Sequence, residues 1–168
     1  MQRRTWLKLG AVSGTVLIVA GGTVALLQPG LQQGCLSPGA QDVFTSVARA
    51  ILDGTLPKEP AAAQVALAGL LERIDALVQA LPPHAQAELS QLLGLLGTGV
   101  GRRTLAGLAP DWRSARVIEV QQALQSMRTS RLALRLQSYQ ALHDIVGAAY
   151  FSDASTWPTL GYPGPLKI

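Results

Sequence analysis

The chain predicts an all-α protein: a helical bundle of about five helices, preceded by an N-terminal leader and followed by an irregular tail of proline, glycine and aromatic residues. Three observations carry this. Apolar residues recur at three- and four-residue spacing through five separate segments. Alanine, leucine and glutamine are abundant, and aromatics make up only 5% of the 168 residues, a balance that favours helix. No segment alternates polar and apolar residues with the two-residue period of a half-buried strand.

Residues 1–27 read as an export leader. Arg3 and Arg4 are followed by Trp6, Leu7 and Lys8, and then by 19 uncharged residues from Leu9 to Leu27. A twin arginine ahead of a bulky apolar pair and a lysine is similar to the address read by the twin-arginine translocase. The apolar run is diluted by Gly10, Gly14, Gly21 and Gly22, as such leaders are. The same arginines also suit a general secretory leader or a plain anchor, as charges held on the cytoplasmic side. The run is close to the roughly 20 residues that span a bilayer as a helix, and no Ala-x-Ala triplet closes it. Cleavage and retention as a membrane anchor through residues 9–27 therefore both stay open, and the expected location is the periplasm, freed or anchored to the inner membrane. Cys35 sits too far from Leu31 for a lipoprotein site.

The twin-arginine route carries folded proteins, so it suits a chain that holds a cofactor or accompanies one. Composition narrows this further. The formal charge of +4 comes mostly from the leader; beyond residue 35 the chain has 11 basic against 10 acidic side chains. That is no electrostatic footprint for nucleic acid. One cysteine excludes an intramolecular disulfide and a thiolate metal cluster.

Residues 28–39, with Pro-Gly twice, read as a linker. Helical spacing then predicts a first helix over 40–52, with Val43, Phe44, Val47, Ala48 and Ile51 inward, stopped by Asp53 and Gly54. A second, over 61–81, carries a stripe of Val65, Leu67, Leu70, Leu71, Ile74, Leu77, Val78 and Leu81. Pro82 and Pro83 separate it from a third over 83–96, with Leu89, Leu92, Leu93 and Leu96 inward. Residues 97–113 interrupt the pattern with Gly97, Gly99, Gly101 and Gly107 around Arg102 and Arg103. This stretch is neither a Walker loop nor preceded by a strand, so a loop laid over the core with Trp112 tucked in is expected. Ser114 is placed to cap a fourth helix over 115–127, with Val117, Val120, Leu124 and Met127 inward. A fifth, over 130–150, presents Leu132, Leu136, Tyr139, Leu142, Val146 and Tyr150. The helical domain thus spans 40–151 and an extended tail 152–168.

Side chains suited to chemistry are few. His84 and His143 stand outside any ligand pair, no Gly-x-Ser-x-Gly elbow occurs, and nothing matches a dinucleotide fingerprint. The expected reading is no catalytic residue, no metal and no cofactor in this chain. Two sets suit a protein partner instead: a basic ridge of Arg128, Arg131 and Arg135, and the aromatic anchors Tyr150, Phe151, Trp157 and Tyr162 among rigid prolines.

The leader, Arg102-Arg103-Thr104-Leu105, the run Arg128 to His143, Tyr150-Phe151-Ser152-Asp153 and the tail Trp157-Pro158-Thr159-Leu160-Gly161-Tyr162-Pro163-Gly164-Pro165 together resemble the gluconate 2-dehydrogenase subunit 3 family. These are small subunits of membrane-associated flavin dehydrogenases acting on sugars and polyols. The resemblance implies a non-catalytic subunit whose partner is a leaderless glucose-methanol-choline type flavoprotein carrying FAD, with a c-type cytochrome as a further subunit in many complexes. It implies that the small subunit stabilises that partner and carries it through the translocase. Within the resemblance Gly161, Tyr162, Pro163 and Gly164 join the arginines and aromatics as interface residues. The alternative is a membrane-anchored periplasmic scaffold with an unrelated partner.

Overall fold

The computed structural model describes residues 28–162 and Gly164. The expected twin-arginine leader and the candidate anchor over residues 9–27 lie outside the described residues. The described chain is mostly helical. A two-stranded antiparallel hairpin, β1 (Leu31–Gln32) and β2 (Cys35–Leu36), opens it. Five helices of 12 residues or more follow, together with one of three residues.

The hairpin corrects the reading of residues 28–39 as a linker. Gln33 and Gly34 both adopt positive φ at its tip, the left-handed conformation that a tight hairpin turn needs. The strap is bound to the body at both ends. Gly30 N–H donates to the Ser90 carbonyl (3.0 Å) and Leu31 N–H to the Ser90 hydroxyl (3.0 Å). Leu36 N–H donates to Asp75 Oδ1 (2.7 Å). Two glycines 64 positions apart make the close approach possible. A Cβ on Gly30 would lie 2.4 Å from that of Leu93, and one on Gly94 would lie 2.6 Å from the Gln28 carbonyl oxygen. Gly30→Ala should therefore cost about 1–3 kcal/mol, the range for overpacking a dense interior. Urea denaturation checks it, and an unchanged midpoint would mean that the strap is not seated as described.

Helix α1 (Pro38–Ile51) begins where the Ser37 hydroxyl accepts from the Ala40 N–H. It is the core helix: Val43, Phe44, Val47 and Ala48 are buried, as its spacing predicts, with Ile51 partly covered. Helix α2 (Pro60–Gln79) is capped by the Glu59 carboxylate on Ala62 N–H (2.7 Å). It buries Leu70, Ile74 and Val78, whereas Val65, placed inward by its spacing, is exposed because no element among the described residues covers it. Helix α3 (Pro83–Gly97) buries Leu89, Leu93 and Leu96.

The interruption after α3 is partly helical. Helix α4 (Gly99–Gly101) runs into a π turn, Arg102–Ala106, which Gly107 ends in the left-handed conformation. A Cβ on Gly101 would sit 2.0 Å from the Leu95 carbonyl oxygen, so only glycine fits. Beyond it Trp112 is buried as expected, with Nε1–H donating to the Leu96 carbonyl (2.8 Å) while its own carbonyl accepts from the Ser46 hydroxyl (2.8 Å).

Helix α5 (Val117–Arg128) starts later than Ser114 suggests. The Ser114 hydroxyl bonds instead to the Asp111 carbonyl, and Arg116 is the cap residue, its N–H donating to Glu119 Oε2 (2.8 Å). Helix α6 (Ala133–Phe151) buries Leu142, Val146 and Tyr150, but Leu132 precedes its first turn and is exposed. Past it, Ala154–Leu160 forms a 3-10 helix, so the tail is not extended throughout. Asp153 caps that helix by accepting from Ser155 N–H (3.0 Å). Among the described residues no helix is long and apolar enough to cross a membrane.

Candidate functional site

The sequence-predicted interface residues fall at opposite ends of α6. Its 19 residues place them about 28 Å apart along the helix axis, so they do not form one face. Arg3, Arg4, Trp6, Leu7, Lys8 and Pro163 lie outside the described residues.

The carboxyl end is aromatic. Tyr150 faces the core while Phe151, one position on, is exposed, and the two rings meet edge-on at 5.2 Å. Trp157 folds back so that its Nε1–H donates to the Phe151 carbonyl (2.8 Å). The Tyr162 ring, also exposed, packs edge-on against Trp157 at 5.4 Å. Gly161 supplies the positive φ that turns the chain there. Gly164 lies over the Trp157 ring, 3.5 Å from where its Cβ would be. Thus Phe151, Trp157, Gly161, Tyr162 and Gly164 form one continuous group, which Tyr150 supports from beneath.

A cross-link that sequence reasoning missed fixes this end. Arg73, from the middle of α2, donates through Nε to the Ala149 carbonyl (2.9 Å) and pairs with Asp153 Oδ2 at 3.3 Å. The Ser155 hydroxyl and N–H hold the Asp153 carboxyl below its ordinary range, with Arg73 adding to the effect. Nothing in the local sequence connects position 73 with position 153.

At the amino end the three arginines differ. Arg128 and Arg131 are exposed. Arg135 is not a ridge residue: Nε donates to the Leu105 carbonyl (2.8 Å) and Nη2 to the Ser126 hydroxyl (2.9 Å). It ties the π turn, the end of α5 and the start of α6 together.

A depression of about 350 Å³ lies between the start of α1 and the 97–114 segment. Its charges pair within the chain: Arg102 with Asp111, and Arg113 Nε with Asp42 Oδ2 (2.7 Å). Arg102 is buried, and its Nε has no hydrogen-bond partner among the described residues. His143 stacks on Tyr139 and faces its neighbour Asp144 (3.1 Å) on an exposed surface, away from this cleft's lining. No family model, curated protein or solved structure matches the chain.

Proposed function

We propose that this chain is the non-catalytic small subunit of a flavin-dependent dehydrogenase, exported by the twin-arginine route with its partner already folded around FAD. It joins a leader or transmembrane helix over residues 1–27 to a helical body. On this reading the body stabilises a leaderless flavoprotein and carries it to the periplasm, where a c-type cytochrome can take its electrons. The chain binds the flavoprotein through its aromatic end.

The observation that supports this most is the ordered group of exposed Phe151, half-buried Trp157 and exposed Tyr162, together with the twin arginine Arg3-Arg4 that reads as an export address. The Trp157 indole is already held by its hydrogen bond to the Phe151 carbonyl and the Tyr162 ring packs on it, so these rings lose little entropy on docking. Aromatic side chains with an apolar body and a polar edge are also the commonest interface hot spots. Joint replacement of Phe151 and Trp157 by alanine should weaken the complex at least about tenfold, a hot-spot loss of roughly 1.4 kcal/mol or more. Titration of the purified flavoprotein with the variant measures it. Unchanged affinity in a variant that keeps its helical spectrum would remove the aromatic end from the interface.

A further inference from the structure

The way the chain enters its body points to a second interaction surface, one that rests on the reading of residues 9–27 as a retained anchor. The Gln28 carbonyl packs against Gly94, so the fold is already seated at residue 28. From Gly94 the strap passes back to Ser90, antiparallel to α3. The described chain therefore starts at the carboxyl end of α3, beside α4 and the π turn, and an anchor over residues 9–27 would enter the body there. Arg135 brings the end of α5 and the start of α6 to the same place.

The groups exposed at this end share a character. Val100 and Leu132 are 73% and 65% exposed, and Arg103, Arg128 and Arg131, on the same elements or within a few residues of them, are exposed too. No aspartate or glutamate occurs in residues 89–110 or 120–143, so no acid within these segments offsets the arginines. Exposed apolar side chains beside unopposed arginines suit an interface of headgroups and acyl chains, where the charge stays in water and the stem sinks. We propose that this end of the bundle lies directly on the bilayer, Arg103, Arg128 and Arg131 meeting anionic lipid headgroups and Val100 and Leu132 meeting the acyl boundary. The aromatic end of α6 then points away from the membrane, free for the flavoprotein.

The test uses the full chain, leader included, with Cys35→Ser and a single labelling site. Val100→Cys probes the proposed contact and Ala148→Cys, exposed near the far end of α6, serves as reference. Each fluorophore-labelled protein is reconstituted into phosphatidylglycerol–phosphatidylcholine vesicles containing a headgroup spin-labelled lipid. Quenching at position 100 should exceed that at 148 several-fold. Arg103→Glu, Arg128→Glu and Arg131→Glu together should remove most of the difference, as should high salt, which screens such contacts. Equal, weak quenching at both positions in vesicle-bound protein would overturn the bilayer contact and leave the anchor standing. Failure of the chain to float with vesicles would sink the anchor, and this proposal with it. The same contrast in vesicles of phosphatidylcholine alone would overturn the role of anionic headgroups.

Discussion

With Arg3 and Arg4 both changed to lysine, nearly all of the proposed flavoprotein partner is expected to remain in the cytoplasm. The exchange keeps both positive charges, so the rule that holds basic residues on the cytoplasmic side is still satisfied. What it removes is the guanidinium pair that, on the proposed reading, a receptor recognises as an address. The change therefore separates the twin-arginine reading from the two others that the leader allows. A general secretory leader or a plain anchor works as well with lysine as with arginine. Fractionation followed by dehydrogenase assay of each compartment measures the outcome. Flavoprotein activity that still reaches the periplasm would show that this chain is not its carrier.

The largest effect expected on the body itself comes from Trp112→Ala. Trp112 fills the space between α1 and the end of α3, and it makes two buried hydrogen bonds, one through the indole and one through its carbonyl. Removing an indole from a packed core costs about 3–5 kcal/mol. That is a large share of the 5–15 kcal/mol that a domain of this size has in total. Trp112→Phe keeps most of the apolar volume but leaves the Leu96 carbonyl without its donor, and should cost about 1–3 kcal/mol. Urea denaturation of both variants separates packing from hydrogen bonding. A loss under about 1 kcal/mol for the alanine variant would mean that the 97–113 segment does not hold the core.

The helices were legible because their apolar faces repeat at helical spacing, and α1 follows its predicted face position by position. Periodicity gives the angle of a side chain around its helix. It does not say whether another element reaches that turn, and so Val65 and Leu132 were placed inward and are exposed. Pairings far apart in sequence left no local trace. Pro29-Gly30 reads as punctuation, and only the contact with α3 makes Gly30 a close-packing residue. Arg135 looks like any surface arginine until the Leu105 carbonyl is found beside it. Similarly, Arg73 and Asp153 meet across 80 positions. The aromatic end was legible as a composition, whereas its order depends on the fold-back of Trp157 onto the Phe151 carbonyl. That the arginines and the aromatics occupy opposite ends already followed from the helix expected over 130–150, which α6 bears out.

One purification addresses the central claim most directly. The chain, tagged at its carboxyl terminus, is isolated from its native cell envelope in mild detergent, and the bound flavin is counted. A stoichiometric flavin-bearing oxidoreductase that co-elutes is the predicted result. A colourless chain with no oxidoreductase attached would contradict it.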